Sequence, residues 1–234
     1  MLKAHRDDLF FYIDWVLFFE PRLMPAHFIP RLILLLSGLA LMAFGVTISI
    51  HSNLGTSPIS SIPYSYSFIF NMSIGTLTVL MHIVMILLQM ALLGKQFQWH
   101  QWLQLPVGII FGAFIDILMW ATQGWSMHVY ALQIGACLFS CLITAIGVCL
   151  VVKANLVFLA GEGLYAAVSK RFGFEFGSCK TYGDIVLVLI AVISAWSVLG
   201  EIIGVREGTI ITALAVGSLV KRMLPKLSFI KFNQ

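Results

Sequence analysis

Charge is what this sequence has least of. It carries 14 Lys and Arg and 10 Asp and Glu side chains, 10% of its 234 residues, where a soluble domain has about 25%. A water-soluble globule of this size could not cover its surface with so few charges, which excludes that class. Cysteine is scarce too. Cys137, Cys141, Cys149 and Cys179 form no C-x-x-C pair, so neither a disulfide framework nor a zinc site is indicated, and they read as small packing residues. There is no H-E-x-x-H, which removes the metalloprotease motif. No basic run is interleaved with aromatics, so no nucleic-acid partner is implied. Nothing in these patterns calls for a cofactor or a metal.

What is abundant is apolar surface: 60% of the residues are hydrophobic, including 18 Phe and 6 Trp, and the mean hydropathy is +0.97. That is the opposite of a disordered composition and leaves an integral membrane protein. A transmembrane helix needs about 20 mostly apolar residues. Six stretches qualify: 32–50, 76–94, 102–122, 131–152, 181–200 and 208–223. The sixth is the weakest, because only 208–220 is free of charge, but Lys221 and Arg222 can snorkel to the headgroups. Segment 9–19, interrupted by Asp14, is too short to span and predicts an interfacial helix.

Basic residues set the orientation. With six spans and the N-terminus in the cytoplasm, 13 of the 14 Lys and Arg residues fall inside and Arg206 alone lies outside, as the positive-inside rule requires. An eight-span alternative would put Lys95 and Lys153 outside. Trp120 and Trp125 then sit at one interface and Trp99 and Trp102 at the other, as aromatic anchors should.

The chain also repeats itself. Shifted by 102 residues, Phe44-Gly45-Val46 falls on Ile146-Gly147-Val148 and Asn53-Leu54 on Asn155-Leu156. Ser67, Phe70 and Gly75 meet Ser169, Phe172 and Gly177. The third spans align at an offset of 105, with Gly108-x-x-x-Gly112 over Ala213-x-x-x-Gly217, both small-x-x-x-small faces suited to close packing in lipid. Three spans per copy force the second copy upside down, a recurring plan of secondary transporters with a site near the midplane. The expected architecture is an all-α integral membrane protein of six transmembrane helices in two inverted three-helix repeats, 31–128 and 129–226. An interfacial segment (1–30) precedes them and a cytoplasmic tail (227–234) follows.

The connectors after spans one and four are apolar yet too short to cross. Ser57-Pro58 reads as an N-cap with Pro at the first helical position, starting a short helix to Phe70. The second connector runs through Asn155-Leu156 to a segment ending at Phe172, with Glu162 in the place of Ser60. Both predict re-entrant or interfacial half-helices, the former tolerated at depth only where they line a cavity.

Asn53-Leu-Gly-Thr-Ser-Pro58, Ser73-Ile-Gly-Thr76, Phe176-Gly177 leading to Asp184-Ile185, Leu199-Gly200, Val205-Arg-Glu-Gly-Thr209 and Ala215-Val-Gly217 together resemble the bacterial YczE/YyaS/YitT membrane proteins, over residues 31 to 224. The resemblance implies a multi-pass protein of a bacterial inner (plasma) membrane, with transport as the expected activity. The second connector departs from it, since Asn155-Leu-Val-Phe-Leu-Ala160 lacks the Gly-Thr-x-Pro of the first.

Two groups of residues carry the candidate chemistry. A half-helix starting at Ser57-Pro58 presents free N–H groups and a positive dipole end, so Asn53, Thr56, Ser57, Ser60 and Asn155 are candidate ligands for a small anion or zwitterion. Ionisable groups within spans are costly and mark function. Here they are His82, Asp116 and Asp184, with Lys221 as the repeat counterpart of Asp116. One pair per half, His82 with Asp116 and Asp184 with Lys221, reads either as a proton or ion relay or as interhelical ties. The partners expected are a small-molecule solute and the lipid bilayer, with a homo-oligomer left open. A non-transporting adaptor or receptor is the alternative. An intramembrane hydrolase using Ser57 and His82 is disfavoured, because Gly55-Thr-Ser57-Pro-Ile59 lacks the second Gly of a nucleophile elbow. The expectation is therefore a transporter and not an enzyme.

Overall fold

The computed structural model describes residues 27–227. The interfacial helix expected at 9–19 and the tail beyond 227 lie outside the described residues. Among those described there is no strand. The chain forms α1 (Phe28–His51), α2 (Pro58–Phe70), α3 (Ile74–Leu93), α4 (Gln104–Ala121), α5 (Tyr130–Ala154), α6 (Ala160–Phe172), α7 (Phe176–Leu199) and α8 (Glu207–Met223). Short 3₁₀ turns at Gly94–Gln96 and Trp99–Leu103 join α3 to α4, so the third apolar stretch is helical by two different ladders. Five segments are long and apolar enough to cross a membrane: α1, α3 with its following turn, α4 with its preceding turn, α5 and α7. At 17 residues, α8 reaches only about 25 Å at 1.5 Å per residue and is not among them.

The helix starts recur. α1 and α5, α2 and α6, and α3 and α7 each begin 102 residues apart, and α2 and α6 are both 13 residues long. That length gives about 20 Å, too little for a hydrocarbon core of about 30 Å. The packing partners recur as well. α2 lies on α7 as α6 lies on α3, and α1 lies on α4 as α5 lies on α8. One pairing breaks the pattern. α3 packs closely on α4, whereas Gly177 of α7 and Gly217 of α8 both face open space.

The α1–α5 seam holds the halves together. Lipid tails are as apolar as leucine, so helices in a bilayer associate through close van der Waals fit at small residues. Gly38 meets Gly147 and Val151, while Gly45 meets Thr144 and Ser140, so the two helices run antiparallel. A Cβ at Gly147 would fall 2.7 Å from the Gly38 carbonyl oxygen and 2.6 Å from Met42 Cγ. Leu39, Ala43 and Ala145 are wholly buried. The free thiols of Cys137 and Cys149 on α5 turn toward the Gly208 and Val220 carbonyls of α8, which makes them packing residues as expected. α7 is the most lipid-facing helix, exposing Ile185, Leu189, Ile193 and Trp196.

Overpacking a close-fitted core costs about 1–3 kcal/mol. Gly147→Val is expected to lower the thermal midpoint of the purified protein by about 2 °C or more. Gly135→Ala, where open space surrounds the position, should leave it unchanged. Equal midpoints for both variants in a thermal-shift assay would contradict the seam.

Candidate functional site

The two short helices begin in the interior. Ser57 stands at the cap of α2 with Pro58 in the first turn, but its hydroxyl donates to Ser60 Oγ (3.0 Å) and accepts from no helix N–H. Ser61 donates to the Ser57 carbonyl (3.0 Å), and Thr56 Oγ1 lies 3.4 Å from Ser61 Oγ. The hydroxyls expected to line a ligand site thus satisfy one another and the first turn. Ile59 of α2 lies against Gly161 of α6, so the first turns of the two short helices meet. Asn53 and Asn155 have φ of 55° and 51°, the left-handed region that Asn tolerates better than most residues. Their identity is explained in the first place by how each long helix ends.

A backbone segment that breaks a helix inside a membrane must have its polar groups satisfied by protein. At the first connector this is done by the link between α7 and α8. Thr56 N–H donates to the Gly204 carbonyl (2.9 Å), Gly208 N–H donates to the Leu54 carbonyl (2.7 Å), and Ser65 donates to the Ile203 carbonyl (2.8 Å). Arg206 donates to the Asn53 carbonyl (2.8 Å). Leu54 and Thr56 are wholly buried beneath this strap.

The second connector is bordered differently. A cleft opens beside it, lined by Gln101 and Gln104 on one side and by Asn155, Val157, Phe158 and Ala167 on the other. Lys170 and His100 stand on its walls. At the cleft floor Gln89 and Gln104 are buried and joined reciprocally, amide to amide, at 3.0 and 3.2 Å. Gln89 also donates to the Ala160 carbonyl in the first turn of α6 (3.0 Å). Gly163 makes room for this pair, since a Cβ there would fall 2.8 Å from both amides.

The ionisable residues singled out from the sequence do not form the expected pairs. His82 is buried on α3, with its ring against Gly108 and stacked on Phe111 (6.2 Å), and its Nδ1 has no hydrogen-bond partner. Asp116 lies about two turns away along the same interface. It accepts from Ser73 Oγ and Gly75 N–H, both at 2.7 Å, and so ties α4 to the start of α3. Asp184 is held by Tyr165 Oη (2.6 Å) and by Lys180 Nζ (3.0 Å), while Lys221 lies exposed in the last turn of α8. Among the described residues no group of three His, Cys, Asp or Glu side chains could hold a metal ion.

The residue missed is Glu162. It lies in the first turn of α6, and its Oε2 is sealed from solvent with no hydrogen-bond partner. The signal was present in the repeat, as an acid in the place of Ser60. Only the packing of α6 on α7 brings it near Asp184 and Lys180.

Long apolar helices, two short helices meeting inside, and an interior cleft define a polytopic α-helical membrane protein. The chain belongs to the family of unknown function DUF6198, whose model matches residues 29–225. No curated protein and no solved structure matches it.

Removing one member of a buried amide pair leaves the other unsatisfied at about 1–3 kcal/mol, whereas removing both costs less than the sum. Gln89→Leu and Gln104→Leu should each lower stability, and the double variant should fall short of additivity by about 1 kcal/mol. Strict additivity in a double-mutant cycle would mean the pair is not formed.

Proposed function

We propose that the protein is a small-solute secondary transporter of six spans, α8 being the sixth. It is built as two inverted three-helix repeats with a polar site where α2 and α6 meet. The N-terminus lies in the cytoplasm, so the cleft near Lys95, Lys153 and Lys170 opens inward. The resemblance to the YczE/YyaS/YitT proteins belongs to the same reading.

One observation carries it. Several residues of the strap and of the cleft hold the same positions of the repeat. Ile203 and Arg206 correspond at the third-span offset of 105 to Gln98 and Gln101, while Asn53, Leu54, Thr56 and Ser65 correspond at 102 to Asn155, Leu156, Phe158 and Ala167. In one half these positions are bonded together; in the other they line an open cleft. Two related halves held in opposite states, one closed and one open, are what alternating access needs around a central site. The break between α7 and α8, set against the close α3–α4 pair, is the same asymmetry seen in the long helices. Asn155 then borders the solute path, and the Thr56, Ser57 and Ser60 hydroxyls face it when the strap opens. Asp116 serves as an interhelical tie, and His82 fills a packed niche.

Exchange between two such states makes a reciprocal prediction. Arg206→Ala removes a strap bond worth about 1 kcal/mol, a factor of about five in the balance of states. A cysteine placed at Leu54 should then react faster with a membrane-impermeant maleimide from outside. A cysteine placed at Leu156 should react more slowly from the cytoplasmic side. Faster outer labelling with inner labelling unchanged would mean local fraying and would refute alternating access.

A further inference from the structure

The polar cluster beside α6 does not balance its charge. Asp184 has both oxygens occupied, by Tyr165 Oη and by Lys180 Nζ. Lys180 lies over the Tyr165 ring, 5.4 Å from its centroid, which fixes its ammonium on the Asp184 side. Glu162 Oε2 is sealed and unpartnered. The elements packed on α6 are α3, α4 and α7. From α3 the near polar group is the neutral amide of Gln89, and from α4 that of Gln104. His82 is turned away onto Gly108 and Phe111. From α7 come Lys180 and Asp184, and α6 itself adds Tyr165. Two carboxylates therefore face one ammonium, leaving one negative charge over in a medium that penalises it heavily.

We propose that Glu162 is a binding carboxylate for a compact monovalent cationic group, such as a primary ammonium, and that it holds a proton when the site is empty. The cleft comes close to this place: Gly163 and Ala166, one residue and one helical turn from Glu162, line it. When the cation enters, the Glu162 carboxyl O–H breaks and its proton passes to cleft water. The carboxylate then pairs with the ammonium, so one positive charge replaces another and the cluster stays neutral throughout. An anion held at the same first turn would instead leave the cluster one negative charge out of balance even with Glu162 protonated, which sets the cationic class above the anionic one suggested by the Ser57 helix start. The exchange step rests on the transporter reading. Binding itself does not, so measuring it in detergent separates the failure of this site from the failure of alternating access.

The test uses the full-length purified protein, with thermal midpoints recorded across pH and with methylammonium chloride as probe against sodium chloride of equal strength. Glu162→Gln, which mimics the protonated side chain, should be more stable than the parent at alkaline pH, and the gap should close as pH falls. Methylammonium should raise the parent midpoint by about 2 °C or more at alkaline pH. It should have no effect on Glu162→Gln and should still act on Glu162→Asp, which keeps the charge. Parent and Glu162→Gln midpoints that stay together at every pH would overturn the buried proton. Equal response to methylammonium in parent and Glu162→Gln, or none in either, would overturn the cation site.

Discussion

A helix that stops in a packed interior leaves carbonyls and amides that no water can reach, and the protein must satisfy them itself. This constraint organises the fold. Two chain breaks, after α1 and after α5, each create such a debt. One is met by a strap drawn across from the α7–α8 link. At the other, Gln89, paired with Gln104, donates to the Ala160 carbonyl in the first turn of α6. The long helices fit closely at Gly38, Gly45 and Gly147, while the breaks are held by hydrogen bonds.

The hydrogen bonds at the breaks also explain why short polar residues gather there. Asn53 and Asn155 end their helices in left-handed conformations. Ser57, Ser60, Ser61 and Thr56 bond among themselves and to the first turn of α2. Such a cluster can look like a ligand cradle in a sequence when it is the local cost of ending one helix and starting another. A ligand would have to compete with these bonds, whereas Glu162 Oε2 has none to give up.

Much of the fold was legible because lipid imposes long unbroken apolar runs. The stretches 32–50 and 131–152 enlarge only to Phe28–His51 and Tyr130–Ala154, and Ser57-Pro58 marks the start of α2 to the residue. The 102-residue shift was legible too, since helix starts follow it where side chains do not. Side-chain partners were not legible. His82 and Asp116 share an interface but lie two turns apart, and Asp184 finds Tyr165 and Lys180 rather than the repeat-related Lys221. Offsets along the chain say which positions are equivalent; which positions touch is set by the rotation of each helix about its own axis. The spacing Ala213-x-x-x-Gly217 shows the same gap, as Gly217 faces open space while Gly112 is pressed against Gly75.

Arg206 bonds the Asn53 carbonyl, but at the third-span offset of 105 its counterpart in the other half is the neutral amide of Gln101. The strap therefore holds one charge-assisted bond that an amide in the other half cannot copy, and such bonds are roughly twice as strong as neutral ones. A cation where the related position carries an amide makes the two chain breaks unequal in what holds them.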